Sequence, residues 1–247
     1  MAAYGELCQQ FYDADKGFAG KEEVAWYAQR LPRDAGPVLE AMCGSGRLLV
    51  PLLRAGFHVH GVDDSAAMLA ACEQRVAAAS LATPLFRQNV AALNAPFRYG
   101  AAFVAAGSLQ LIVAPGAMRR ALERIRAHLV PRGLLLLDLG VPDIALNPPG
   151  APLVEVRAVR LDDGTRITLR SETTVDAPSR QLEMRNRYER RASGAAMERE
   201  DETLSMTWLD EDEVATLLGV AGYADIAILP SPWPRGERSF GVSARAT

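Results

Sequence analysis

The stretch Val38-Leu39-Glu40-Ala41-Met42-Cys43-Gly44-Ser45-Gly46 constrains this chain more than any other. It reads as a buried strand that enters a glycine turn and continues into a helix over residues 47–55. A glycine turn at the C-terminal end of a strand lets a ligand approach the backbone closely. The pattern recurs about twenty residues later as a strand over 57–62, then Asp63-Asp64-Ser65, then a second helix. An acidic residue closing that second strand can take both hydroxyls of a ribose. Together the two turns predict a nucleoside cofactor site.

The rhythm continues. Ser65 is placed to N-cap a helix that carries Met68, Leu69, Cys72 and Val76 on one face. Strands are expected over 84–88, 101–106 and 134–139. A helix over 116–129 carries Met118, Leu122, Ile125 and Leu129 at helical spacing, and the Pro131-Arg132-Gly133 turn follows it. This alternation predicts a Rossmann-like, doubly wound α/β fold: a mostly parallel seven-stranded sheet with helices on both faces. The rhythm breaks after Pro142. Asn147-Pro148-Pro149-Gly150 reads as a loop. Period-two stretches follow, separated by Asp162-Asp163-Gly164, Asp176-Ala177-Pro178 and Ser193-Gly194. They predict a four-stranded antiparallel meander inserted after strand five. Asp210 then caps a helix reaching Val220, and strands over 223–229 and 237–245 complete the sheet.

One domain over 1–247 is expected. It comprises an N-terminal helical cover (1–35), a cofactor-binding core (36–141), the β insertion (150–208) and a closing helix with two strands (209–247). The cover holds Tyr4, Phe11, Tyr12, Phe18, Trp26 and Tyr27, an aromatic concentration that argues for a packed element. No apolar run approaches the ~18 residues that cross a bilayer, and Met1 to Gln10 lacks the pattern of a secretion signal. Cys8, Cys43 and Cys72 form neither a disulfide framework nor a metal-ligand spacing, so no metal is expected and a reducing cytoplasm fits. The net charge of −3 gives no support for nucleic-acid binding. Lys16 and Lys21 are the only lysines among many arginines, the bias of a GC-rich bacterial coding sequence.

The identity of the nucleoside turns on two residues. A dinucleotide turn wants a third glycine where this chain has Leu49, and Glu40 beside the turn would repel a pyrophosphate. A carboxylate there suits a cofactor with an ammonium group, a ribose and no phosphate, as S-adenosylmethionine is. At this point the sequence resembles the class I S-adenosylmethionine-dependent methyltransferases, small-molecule type. The likeness rests on residues 40–46, on Gly61-Val62-Asp63-Asp64-Ser65-Ala66-Ala67-Met68-Leu69, on Gln88-Asn89-Val90-Ala91-Ala92-Leu93, on the Pro131-Arg132-Gly133 turn and on Ala221-Gly222-Tyr223. It implies that Glu40 reaches the methionine end of the cofactor, and that Met42, Cys43, Gly44 and Gly46 pass beneath the sulfonium and ribose. Asp63 would hold the ribose hydroxyls, Asp64 and Met68 would pack on adenine, and Asn89 with Val90 would meet the adenine edge. Three positions depart from the family pattern: Met42 replaces a glycine, Asn89 an acid, and Gly100 the aspartate that usually opens strand four.

The loop after strand four, Ala106-Gly107-Ser108-Leu109-Gln110, should lie beside the departing methyl group, with Ser108 and Gln110 facing the acceptor. Tyr12 and Tyr188 are the candidates for touching the acceptor, and Tyr12 also for the cofactor's carboxylate. The face of the meander that carries Leu182, Met184, Asn186, Tyr188 and Arg190 has two open uses, as a lid over the acceptor or as part of a solvated or homodimer surface. His58 and His60, expected on one face of strand two, and His128, expected at a helix end where charge suits the dipole, read as structural. Asn147-Pro148-Pro149-Gly150 resembles the N-P-P motif of base-amine methyltransferases but lacks the aromatic residue and follows strand five, so a linker is the better reading. The function expected is methyl transfer to a small molecule, with a nitrogen or acidic acceptor favoured over a hydroxyl for want of a base. The alternatives are transfer to RNA or protein, and a non-catalytic cofactor-binding regulator.

Overall fold

The computed structural model describes residues 4–191, 196–232 and 238–247. The expected turn at Ser193-Gly194 and the expected strand start at Glu237 lie outside the described residues. Two helices, α1 (Glu6–Lys16) and α2 (Lys21–Ala28), precede β1 (Val38–Ala41), α3 (Leu49–Arg54), β2 (Val59–Asp63) and α4 (Ala66–Ala78). Then come β3 (Leu85–Arg87), a 3₁₀ turn (Val90–Ala92), β4 (Tyr99–Val104), a second 3₁₀ turn (Ser108–Leu111), α5 (Ala117–His128) and β5 (Leu129–Val141). After a single helical turn, α6 (Asp143–Leu146), the insertion is built from β6 (Leu153–Arg160), β7 (Arg166–Asp176), β8 (Gln181–Arg191) and β9 (Glu198–Thr207). The chain closes with α7 (Glu211–Val220), β10 (Tyr223–Pro230) and β11 (Arg238–Ala246).

The large sheet runs β10-β11-β5-β4-β1-β2-β3, parallel except where β11 pairs antiparallel with β10 and β5. The doubly wound architecture with an antiparallel insertion is therefore as expected. Buried side chains form one layer on each face. Leu39, Leu122, Ile125, Leu135 and Leu218 lie on one side; Tyr27, Val38, Leu49, Leu69, Cys72 and Phe103 lie on the other. The strand order reverses between β4 and β2 at β1, which opens a crevice at the C-terminal ends of these strands. The Asp210 cap is a full capping box: Glu213 N–H donates to Asp210 Oδ1, and Asp210 N–H to Glu213 Oε2, both at 2.9 Å.

Several local expectations are corrected, and others gain detail. Strand five starts at Leu129 and absorbs Pro131-Arg132-Gly133 as an irregularity, with Leu129 opposite Tyr99 but Leu134 opposite Ala101. His58 is exposed and precedes β2, so it shares no strand face with buried His60, which meets Phe97 and Tyr99 edge to face. His128 is buried, and its Nε2 accepts the Ala95 N–H, so this ring serves packing and a hydrogen bond. Asn147-Pro148-Pro149-Gly150 is an exposed linker after α6, except that Asn147 itself ends that turn. The missing aspartate at the head of strand four also has a physical reason. A Cβ on Gly100 would sit 2.1 Å from the Ala35 carbonyl oxygen. Gly100→Ala is expected to destabilise the fold by about 1–3 kcal/mol, through overpacking against a backbone that cannot step aside; a urea melt measures it.

The second sheet, β6-β7-β8-β9, is antiparallel throughout. One face packs on α1, where Leu7, Cys8 and Phe11 meet Ile167, Leu169 and Tyr188. Glu200 of β9 accepts the Leu7 and Cys8 N–H groups at 3.0 and 3.1 Å and so caps α1. The insertion and the N-terminal helix thus pack together, and α1 also touches α4 beside the large sheet. No helix among the described residues is long and apolar enough to cross a membrane.

Candidate active site

At the crevice, the ends of β1, β2 and β4, the N-terminal segment and β9 surround a cavity of about 450 Å³. Its first wall is the glycine turn. Met42 has φ 61°, Gly44 φ 54° and Gly46 φ 79°. The two glycines take this left-handed backbone freely, whereas Met42 holds it against a steric cost of ~1–2 kcal/mol. The family's glycine is absent here, but the turn it makes is present. On Gly44 a Cβ would meet only Met68 Sδ, at 4.0 Å, and would otherwise project into open space. Ser45 donates to Asp13 Oδ1 at 2.5 Å, and Arg75 bridges the same pair, so α1 is fastened directly to the turn.

Asp63 sits opposite. One carboxylate oxygen accepts the Gly44 N–H at 2.8 Å and the other the Ser65 N–H at 2.9 Å. A carboxylate offers about four lone-pair directions, so two remain for a ligand's hydroxyls. Burial pushes its titration up, against the pull of those backbone N–H groups. Asp64 and Asn89 form the next rim, joined by a 3.0 Å bond from the Asn89 amide to Asp64. The oxygen of Asn89, expected to face an adenine, already accepts the Ala91 N–H at 3.0 Å and shapes the first 3₁₀ turn. Met68 and Val90 line the same end.

Glu40 lies at the other end of the turn and is 3 % exposed. Its Oε2 has no hydrogen-bond partner among the described residues, and burial raises its titration well above the ordinary range. A buried carboxylate oxygen without a partner, on a cavity wall, is a place for a cationic ligand group. Arg47 is close by, held bidentate by Glu23 at 2.5 and 2.7 Å, and lines the cavity together with Tyr12. Sequence reasoning missed Arg47, although it is the first cation after the glycine turn. Acid and guanidinium together suit a ligand end bearing both an ammonium and a carboxylate. The donor set therefore fits S-adenosylmethionine, with Glu40, Arg47 and Tyr12 available to an amino-acid end, the turn to a ribose and Asp63 to its hydroxyls.

Past Ala106 the wall changes character. Ala106 and Gly107 are both left-handed, at φ 60° and 66°. Asp138 of β5 holds them from below, accepting the Gly107 N–H at 2.8 Å and the Tyr27 hydroxyl. Its carboxyl is pushed up to about 6 by full burial. A lone acid inside the apolar run 134–139 was the signal for it. Beyond lie Ser108, Leu111, Ile112, Val113, Ala114 and Ala117, faced by Thr203, Leu204 and Ser205 of β9.

Two expected acceptor residues are placed elsewhere. Gln110 is buried outside the cavity wall; it donates to the carbonyls of Gly140 and Thr207 at 2.8 and 2.9 Å and accepts the Gly140 N–H. It ties the second 3₁₀ turn to β5 and β9. Tyr188 is buried beneath α1 against Phe11, with its hydroxyl directed at Glu202. The insertion does reach the cavity, through β9 rather than β8. Tyr12 and Tyr4, from the N-terminal cover, line it. Cys43 is buried against Gly61, and its thiol is pushed well up in titration, which disfavours the thiolate and suits a packing role in the turn.

Comparison with known proteins agrees with this geometry. Residues 38–133 match the model of the methyltransferase domain. A Geobacillus sp. (strain WCH70) protein, classed as a methyltransferase by name alone, is 31% identical over 128 residues, 52% of this chain; the chain spans about half (50%) of that relative's length. Among solved structures, the sugar N-methyltransferase from Streptoalloteichus sp ATCC 53650 superposes with a TM-score of 0.79 at 21% identity, over 100% of this chain and 96% of that one. An S-adenosylmethionine-dependent methyltransferase from Clostridium acetobutylicum ATCC 824 gives 0.76 at 16%, over 95% and 96%. The S-adenosylmethionine-bound amino pentose methyltransferase from Micromonospora echinaspora gives 0.71 at 22%, over 100% and 99%. With the glycine turn, the two acids and the doubly wound sheet in place, residues 38–133 are similar to the methyltransferase domain family, and the chain shares the fold of these S-adenosylmethionine-dependent methyltransferases.

Proposed function

We propose that this protein transfers a methyl group from S-adenosylmethionine to an amine nitrogen of a small molecule. The observation that carries the reading is the acceptor-side wall, Ala105 to Ala117 with Thr203 to Ser205. It is apolar, punctuated by hydroxyls and backbone groups, and has no acid, base or guanidinium. A hydroxyl acceptor needs a base to take its proton in the transition state, and a carboxylate or phosphate acceptor needs a cation to hold it. A neutral amine needs neither. The sulfonium supplies the electrophilic methyl group when the cofactor is bound.

The protein's own contribution is placement and exclusion of water. Glu40 and Arg47 fix the amino-acid end, Asp63 fixes the ribose, and the Asp138-held loop sets the wall beside the methyl carbon. Alignment of this kind is worth roughly 7–11 kcal/mol of barrier. Ser108, Thr203 and Ser205 can orient an amine through its substituents, and the proton released after transfer goes to solvent. An intact cavity beside Ser108 favours this reading over a non-catalytic regulator. The net charge of −3 favours a small acceptor over RNA.

The test is transfer of labelled methyl to a panel of small amines, alcohols and carboxylic acids. Only amines should accept label, with a rate that rises with pH through each amine's own pKa. Methylation of alcohols or acids at comparable rates, or retention of bulk RNA on filters at low salt, would overturn the proposal.

A further inference from the structure

We propose that β6 is the seam of a homodimer, pairing antiparallel with β6 of a second copy about a two-fold axis through Val156. The fold blunts its other sheet edges. In the large sheet β3 is only three residues long. The opposite edge, β10, has a register break between Ala224 and Ala227, a left-handed Asp225 and a terminal proline. In the small sheet β9 lies against the second 3₁₀ turn, stitched there by Gln110. These are the usual means of preventing stray strand pairing. β6 is neither short, broken nor covered, and the charges of Glu155, Arg157 and Arg160 are its only such device. Its eight residues contain no lysine or proline, and it pairs with β7 without a break from Leu153 opposite Thr173 to Arg160 opposite Arg166. Among the described residues nothing pairs with its other edge. Leu153, Val154 and Val156 are 42, 46 and 66 % exposed.

The residue order points to a second copy as the occupant. In an isologous antiparallel pair centred on Val156, partner numbers add to twice 156. Glu155 then falls opposite the second copy's Arg157, and Arg157 opposite its Glu155. Val154 meets Ala158, Leu153 meets Val159, and Val156 meets itself. Residues directly opposite share a face. The two ion pairs therefore lie on the α1 side, and a continuous stripe of Val154, Val156 and Ala158 forms on the outer side. Arg157 uses Nη1 for Asp15 at 2.9 Å, which leaves the rest of its guanidinium fork for the second copy's Glu155. A peptide or other strand would satisfy the backbone edge equally well, but only a second copy brings this charge order. The insertion would then serve both uses open from the sequence, with β9 at the cavity and β6 at the seam.

Sedimentation at ~10–100 µM protein is the test. The full-length chain should sediment as a dimer of the 26.7 kDa protomer. Val156→Lys sets two like charges on the axis and should raise the dimer dissociation constant at least tenfold. Glu155→Arg faces arginine with arginine and should weaken the dimer likewise, while the double swap Glu155→Arg, Arg157→Glu should recover most of the association. All these side chains are solvent-exposed, and circular dichroism checks that each variant is folded. A wild-type monomer across this range overturns the proposal, as does a dimer that Val156→Lys leaves intact or a double swap no tighter than Glu155→Arg alone.

Discussion

Glu40→Gln is expected to weaken binding of S-adenosylmethionine or S-adenosylhomocysteine at least a hundredfold while leaving the apoprotein as stable as the wild type, or more so, at pH 7.5. Both halves follow from one side chain. Glu40 is buried, and its Oε2 has no partner among the described residues. Without a ligand, the fold disfavours its charged form. With an ammonium beside it, the carboxylate becomes half of a buried ion pair, and removing one partner of such a pair costs about 3–5 kcal/mol, more than two decades in affinity. The stability half has a definite sign. The folded protein holds the Glu40 proton more tightly than the unfolded chain. Glu40's own contribution to folding stability is therefore fully present below the unfolded value of ~4.3 and is lost as pH rises towards the folded one. Glutamine removes that part of the slope. Asp138, pushed up to about 6, and Asp63, also raised by burial, act in the same direction and remain, so the slope shrinks without vanishing. Titration calorimetry with S-adenosylhomocysteine and urea melts at pH 5 and 7.5 measure the two halves. Unchanged affinity in the folded variant would place the ammonium elsewhere.

The contrast between what the residue order reveals and what it conceals is physical. The glycine turn, the acid closing β2 and the alternation of strands and helices are local signals, and each fixes a local conformation that the fold retains. The turns at Asp162-Asp163-Gly164 and Asp176-Ala177-Pro178 likewise separate β6, β7 and β8 where expected. Period two along β8 correctly groups Leu182, Asn186 and Tyr188 on the buried face. It does not say what that face meets. α1 covers Tyr188, and the cavity is reached by β9 instead, because the order of strands in the insertion and the path of the N-terminal helix are long-range facts. Gln110 fails for a related reason. A polar side chain in a loop can turn to ligand or to backbone, and here the Gly140 and Thr207 carbonyls would otherwise lack its amide as a donor. Asn89 lines the cavity, but its oxygen is used within its own turn. Arg47 and Asp138 were legible in principle, each a lone charge in apolar or glycine-rich surroundings, where burial without a partner would be costly.

Asp63→Ala should lower cofactor affinity at least tenfold and also destabilise the apoprotein, by about 1–3 kcal/mol. The affinity loss follows from the free lone pairs that face the cavity. A hydrogen bond from a ribose hydroxyl to a charged acceptor contributes ~1.5–3 kcal/mol, so even one such bond exceeds a decade. The stability loss follows from the other two contacts. Gly44 and Ser65 both donate their backbone N–H groups to this carboxylate, and alanine would leave them without that acceptor. Because Gly44 belongs to the turn and Ser65 caps α4, the two elements that frame the ribose would loosen together. Asp63→Asn separates the effects. Its amide oxygen can still accept one backbone N–H, so stability should largely return, whereas the amide nitrogen cannot accept from a hydroxyl and affinity should stay low. Thermal melts and calorimetry on the two variants give four numbers. A folded Asp63→Ala protein with wild-type affinity would mean that the ribose is held by other groups, and restored affinity in Asp63→Asn would mean that the carboxylate acts by shaping the turn rather than by touching the ligand.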